Sequence, residues 1–237
     1  MTPHATDRLI VALDLENVAE AEKLVETLGD TVMFYKVGLV MQLAEGVDAF
    51  VRRLIAQGKK VFLDYKYYDV PETLKKAVSR AAGIGVSFLT IHGSGSLIRA
   101  AVAAKGSSEL KLFTVTVLTA MDQDDIREMG YSAHAVDELV SFRAQKALDA
   151  GCDGVIASGR EAEKIKALSA GKLLVITPGI RPDGYPEDDQ KRRTTASQAI
   201  QAGADYLVVG RPITDAADPR AAAEGFVREM QTAFEAR

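Results

Sequence analysis

The stretch KVFLDYKYYDVPET, residues 60–73, is an apolar run that breaks into charge. Its opening, residues 60–63, reads as a strand buried on both faces, because it lacks the alternation of a half-exposed strand. Asp64, Lys66 and Asp69 follow, and Pro71 then leads into a helical stretch. The same design recurs along the chain. Short runs rich in Val, Ile, Leu or Phe occupy residues 9–13, 32–37, 87–91, 112–118, 154–157, 173–177 and 206–209. Amphipathic helical periodicity fills residues 18–28, 39–56, 72–82, 135–150 and 221–233 between and after them. Units of about 30 residues match the size of a strand–helix repeat. Gly85, Gly151 and Gly203 fit helix C-caps that turn into the next strand.

No linker, low-complexity tract or shift in composition divides the chain. The expectation is one α/β domain over residues 1–237, a (β/α)8 TIM barrel. An open doubly wound sheet is the alternative. Against its dinucleotide-binding form, the first strand is followed by Asp14-Leu15-Glu16-Asn17 and not by Gly-x-Gly-x-x-Gly.

The 237 residues are 47% hydrophobic and 26% charged, which is globular composition and argues against disorder. A net charge of −4 argues against a general nucleic-acid binder. The longest uncharged stretch, residues 81–98, holds His92, four Gly and three Ser, too polar for a spanning helix. The opening MTPHATDR lacks a secretory pattern, and Cys152 has no intrachain partner. The expected setting is the cytoplasm, with no membrane and no nucleic acid as partner.

In a barrel the chemistry gathers at the C-terminal ends of the strands. Those ends carry Asp14, Lys36, the Asp64–Lys66–Asp69 cluster, His92, Thr119, Pro178 with Arg181, and Gly210 with Arg211. Asp64 and Lys66 lie two apart in extended backbone and share a face, within reach of Lys36 on the neighbouring strand. Carboxylates beside Lys66 favour its charged form, which suits stabilising and protonating a carbanion better than forming an imine. A structural salt-bridge network at the rim is the plainer reading. Four such residues together favour function, because buried charge arrays mark sites.

Thr177-Pro178-Gly179-Ile180-Arg181-Pro182 and Val209-Gly210-Arg211-Pro212 fall after strands 7 and 8, where this fold commonly binds phosphate. Arg211 adds a cation able to bind two oxygens at once. The polar loop at residues 181–193 has the length of a lid. His92 reads more simply as a hydrogen-bonded structural residue, and His4 and His134 as surface or cap positions. No zinc-ligand spacing and no Gly-x-Ser-x-Gly elbow occurs. The aspartates could hold magnesium, but interleaved lysines compete for them.

With these motifs the chain resembles the orotidine 5′-phosphate decarboxylase family over nearly its whole length. The resemblance rests on Leu13-Asp14, Lys36-Val37-Gly38, Asp64-x-Lys66-x-x-Asp69 with Pro71 and Thr73, and Leu118-Thr119. Further along it includes Pro178-Gly179-Ile180-Arg181-Pro182, Asp189-Gln190, and Val209-Gly210-Arg211-Pro212. The charged motif alone is shared with sugar-phosphate relatives of the same suprafamily. Glu72 stands where family members commonly carry Asn, and Tyr65, Tyr67 and Tyr68 replace the usual Leu, Phe and His.

The resemblance implies cofactor-free and metal-free decarboxylation of orotidine 5′-monophosphate, with Lys66 protonating C6 and Asp64 beside the departing carboxylate. It implies Asp14 and Lys36 at the ribose, Thr119 at the pyrimidine, and Gln190 between base and phosphate. Gly210 and Arg211 would bind phosphate, with Pro178 and Arg181 at that end of the site. It further implies a homodimer in which Asp69 and Thr73 cross the interface. The competing readings are a magnesium-dependent sugar-phosphate lyase or synthase and a non-catalytic phosphometabolite binder.

Overall fold

The structure, a computed structural model, describes residues 4–131 and 135–237; His134 lies outside them. Eight parallel strands close into a barrel in chain order, with β1 pairing to β8. They are β1 Leu9–Ala12, β2 Phe34–Gly38, β3 Lys60–Tyr67, β4 Phe88–Ile91, β5 Lys111–Val115, β6 Gly154–Ile156, β7 Leu174–Thr177 and β8 Tyr206–Val209. The helices are α1 Val18–Leu28, α2 Val47–Ala56, α3 Pro71–Ile84, α4 Gly95–Lys105, α5 Gln123–Glu128, α6 Val136–Asp149, α7 Ala162–Leu168, α8 Ala196–Gln201, α9 Arg211–Thr214 and α10 Pro219–Glu235. No helix among the described residues is long and apolar enough to cross a membrane.

Each strand alternates between two cores. Leu9, Val11, Tyr35, Val37, Val61, Leu63, Leu89, Val155 and Leu207 face outward and pack beneath the helices. Ile10, Ala12, Phe34, Phe62, Phe88, Phe113, Ile176 and Val208 fill the barrel itself. The apolar runs are continuous because both faces of every strand are buried. Phe88 stands at the centre of the inner core, with ring centroids 4.7 Å from Phe34, 4.7 Å from Phe113 and 5.0 Å from Tyr206. Gly154 leaves room for this plug. A β-carbon there would strike the Leu174 carbonyl oxygen and lie 2.5 Å from the Phe113 ring.

The sequence anticipated α1 to the residue, and α3, α6 and α10 within a few residues. Asn17 caps α1 by accepting the Glu20 N–H, and Asp218 caps α10 through Ala221. The stretch 39–56 is not one helix. A 3-10 turn, Val40–Leu43, precedes Gly46, whose φ of 79° breaks the helical path before α2. Leu39, Val40 and Leu43 therefore stay exposed at the rim. β3 runs four residues beyond its expected end, carrying the charged cluster inside the strand, and β5 stops three residues short. Four missed helices, α5 and α7 to α9, are too short to show a period. The fifth, α4, buries little beyond Ile98 and Ala101.

Gly154→Ala is expected to lower stability by about 1–3 kcal/mol through overpacking. A thermal melt by circular dichroism checks it; an unchanged melting temperature would mean the inner core accommodates a methyl group freely.

Candidate active site

The inward positions of successive strands carry apolar side chains at mid-barrel and polar ones at the C-terminal mouth. Ala12 is followed inward by Asp14, Phe34 by Lys36, and Phe62 by Asp64 and Lys66. Parity along the strand thus gathers charges from three strands into one cavity of about 670 Å³. Ala12, Phe62, Val115, Ile156, Ile176 and Val208 are among its apolar lining residues.

The charges alternate in sign across the mouth. The Lys36 ammonium lies 2.8 Å and 3.0 Å from the two Asp14 oxygens and 3.7 Å from Asp64 Oδ2. Lys66 Nζ lies 3.0 Å from the same Asp64 oxygen. The side chains of Lys36 and Asp64 are 10% and 15% exposed, whereas Lys66 is 34% exposed. The outermost cation therefore remains open to the cavity. Burial alone would raise the Asp64 carboxyl, but the Lys36 and Lys66 charges and hydrogen bonds from Lys66 and Thr90 hold it below the ordinary carboxylate range.

Lys66 has φ of 50°, in the left-handed region that side chains with a β-carbon seldom adopt. Such a conformation costs on the order of 1–2 kcal/mol. The β3–β4 register slips between Leu63 and Tyr67, and the Lys66 N–H donates to Thr90 Oγ1 at 2.9 Å. The same hydroxyl donates to Asp64 Oδ1 at 2.9 Å. Thr90 therefore sets both the strand deviation and the carboxylate it faces. Sequence reading passed over it, although its inward parity after Phe88 was a usable signal. Gly38 stood in the Lys36-Val37-Gly38 motif without a role of its own, and the structure supplies one: a β-carbon there would lie 2.6 Å from Lys36 Nζ and 2.7 Å from Asp14 Oδ1.

Loops from β5, β7 and β8 complete the rim. Thr119 Oγ1 donates to Gln190 Oε1 at 2.6 Å, joining the end of β5 to the 181–193 loop. Pro178 and Gly179 line the cavity, and Gly179 has φ of 75° with Gln190 packed against it. Arg181 is buried and braces its own loop: Nε and Nη2 lie 2.8 Å and 2.7 Å from Asp188, and Nη1 donates to the Ile180 carbonyl. Arg211, at the start of α9 after Gly210, pairs with Asp189 and lies 3.4 Å from Asp188. Asp188, missed in the sequence, is shared by both arginines.

Two expected residues lie apart from this cavity. Asp69 is exposed, and its carboxylate accepts the neighbouring Val70 N–H at 2.6 Å. Thr73 lines a separate groove of about 880 Å³ with Tyr65 and Tyr67, beside α2 and α3. His92 is half-buried against Tyr68, its imidazole pushed toward the neutral form by burial and by the Arg143 and Lys66 charges. Among the described residues no group of three or more His, Cys, Asp or Glu is placed to hold a metal ion.

Charges of alternating sign, with Lys36 and Asp64 at their buried centre, at the C-terminal mouth of a closed parallel barrel define a barrel enzyme with its centre at that mouth. The sequence model of the orotidine 5′-phosphate decarboxylase / HUMPS family matches residues 7–226. The chain belongs to this family. It is 53% identical over 230 residues to the orotidine 5′-phosphate decarboxylase of Nitrobacter winogradskyi, covering 97% of this chain and 95% of that one. It is 50% identical to the enzyme of the same name from Methylococcus capsulatus, covering 97% and 94%. The crystal structure of orotidine 5′-phosphate decarboxylase from Lactobacillus acidophilus superposes with a TM-score of 0.82 at 35% identity, covering 94% of this chain and 98% of that one.

A carboxyl with a depressed folded-state pKa stabilises the fold fully above its unfolded value, and that stabilisation is lost as pH falls through the folded value. Denaturation midpoints from neutral pH to about pH 3 are expected to fall less steeply for Asp64→Asn than for the parent. Parallel curves would show that Asp64 is not held low.

Proposed function

We propose that this barrel, over residues 1–237, decarboxylates orotidine 5′-monophosphate to UMP, the closing step of pyrimidine nucleotide synthesis, without a cofactor. The observation that carries the reading is the open Lys66 ammonium, 3.0 Å from the Asp64 carboxylate and held there by a left-handed backbone. Strain of that kind collects at functional sites. In the reaction the C6–carboxylate bond breaks, CO2 departs, and the electron pair stays on C6. Lys66 then donates a proton to that carbon. No delocalising group is available to a C6 carbanion, so a fixed cation must stabilise it. Asp64 disfavours the substrate carboxylate more than the transition state, in which that negative charge has partly moved to C6.

Asp14 and Lys36 hold the ribose, Thr119 meets the pyrimidine, and Gln190 spans base and phosphate. The phosphate binds to Arg211 and the Gly210 N–H beside Pro178, replacing the Asp188 and Asp189 carboxylates that engage Arg211. Arg181 keeps the loop in shape. That the relatives from Nitrobacter winogradskyi and Methylococcus capsulatus are orotidine 5′-phosphate decarboxylases supports this substrate. The alternating row supports metal-free chemistry over a magnesium-dependent sugar-phosphate reaction, because Lys36 and Lys66 already engage the Asp14 and Asp64 carboxylates.

The active unit in this reading is a homodimer, with the partner subunit's Asp69 completing the row and the partner subunit's Thr73 at the ribose. Supporting it, Leu39, Val40, Leu43, Tyr68 and Val70 are exposed apolar side chains on the β2 and β3 loops, the latter carrying Asp69 itself. A cytoplasmic setting suits Cys152, a free thiol that burial pushes up to about 12.

The test is the loss of orotidine 5′-monophosphate absorbance in EDTA. Parent turnover is expected to persist, and Lys66→Ala to lower kcat by about 10²–10⁴-fold, the range of a general acid. Tight UMP binding without turnover would instead make the chain a binding protein. Light scattering at micromolar concentration is expected to return twice the chain mass, and a monomer that is fully active would end the shared-site reading.

A further inference from the structure

A buried ion pair away from the charge row remains unexplained by the reaction. Glu161, in the 3-10 turn Gly159–Glu161 after β6, lies 2.6 Å from Arg192, at the end of the 181–193 loop. Both side chains are 8% exposed. Glu161 Oε2 and Arg192 Nε are buried without a hydrogen-bond partner among the described residues. Burial raises the Glu161 carboxyl, and the Arg192 charge only partly offsets this. A half-satisfied buried pair contributes little to stability, and its best-attested use is to fix position.

What it fixes is visible in the remaining contacts. Arg192 Nη2 donates to the carbonyls of Val117 at 2.9 Å and Leu118 at 3.0 Å. Its backbone N–H donates to the Thr119 carbonyl at 3.1 Å, and its own carbonyl accepts from Ser158 Oγ at 2.9 Å. Three consecutive carbonyls past the end of β5 are therefore clamped to one residue of the loop. That residue is two positions from Gln190, and the clamped segment ends in Thr119. The Thr119–Gln190 hydrogen bond spans these same two segments.

We propose that Glu161 and Arg192 are positioning residues for the base-recognition edge of the site. Glu161 aims the Arg192 guanidinium, and Arg192 holds the β5 end against the loop, so that Thr119 and Gln190 present one preset surface to the pyrimidine. Neither residue touches the reacting atoms. The inference rests on the orotidine 5′-monophosphate reading. It adds that the far end of the loop is a fixed anchor, independent of the Arg211 end.

Glu161→Gln keeps the shape and one acceptor oxygen while removing the charge. Arg192→Lys keeps a cation opposite Glu161 but loses the fork to Val117 and Leu118. Each is expected to lower kcat/KM by about tenfold to 10²-fold, as for small misplacements of positioning groups, when assayed well below its melting temperature. In a Gln190→Ala background each is expected to cost less than about threefold more, because its effect passes through Gln190. Full kcat/KM in the folded single variants, or losses that multiply in the double variants, would overturn the proposal and leave a purely structural pair. Parent protein inactive on the substrate would defeat the functional reading instead. Amide exchange then decides the clamp: faster exchange at the Arg192 N–H in Glu161→Gln sustains it, and an unchanged rate overturns it.

Discussion

The Asp64 carboxylate, buried between the Lys36 and Lys66 ammonium groups, is the constraint on which the mouth of this barrel depends. An isolated charge at that depth would be costly, so the buried Asp64 and Lys36 require the neighbours that flank them. Several otherwise odd features follow from satisfying it. Thr90 interrupts an apolar strand to serve both Asp64 and the Lys66 backbone. The strand deviates at Lys66, and Gly38 stays without a side chain where Lys36 and Asp14 approach it. These are local compromises in regular strand geometry, and they fall on the charged layer. The layer beneath is aromatic and well packed, so strain above it rests on a rigid floor.

The second organising feature is the loop at residues 181–193, held at both ends by buried arginines of different character. Arg181 pairs with Asp188 inside the loop, which gives the segment its own shape. Arg192 pairs with Glu161 outside the loop and fastens it to neighbouring strand ends. Between them Asp188 and Asp189 reach Arg211 on the opposite side of the mouth. Unlike the two buried arginine pairs, this last contact lies at an exposed edge, where a competing anion can exchange with a carboxylate at modest cost. The loop thus combines a fixed anchor with an exchangeable contact, which is what ligand-dependent closure requires.

Sequence reading went furthest where one period explained many residues. Eight doubly buried strands were legible as continuous apolar runs, and four amphipathic helices because burial on one face selects side chains at fixed spacing. It failed at 39–56, where apolar residues with helical spacing turn out to be an exposed rim beyond a left-handed glycine. It also missed α5 and α7 to α9, which are too short to show a period although their apolar residues join the core. In the site, Asp14, Lys36, Asp64 and Lys66 were found because charge ending an apolar run is conspicuous. Thr90, Asp188 and the Glu161–Arg192 pair were not, and Gly38 entered only as part of a motif, since a hydroxyl, a missing side chain or a loop charge is unremarkable alone.

The sequence by itself determined the barrel and the identity of the charges at its mouth, through continuous apolar runs, the helical periods between them and the charges that end the runs. Only the tertiary structure decided which charges meet. It joined Asp14, Lys36, Asp64 and Lys66 into one row. It set Asp69 and Thr73 apart from that cavity within the chain, and it tied Arg192 to a glutamate on another loop. The reason is physical. Periodicity is a local property written by burial, whereas ion pairs between strand ends depend on barrel closure and register, which no single segment encodes.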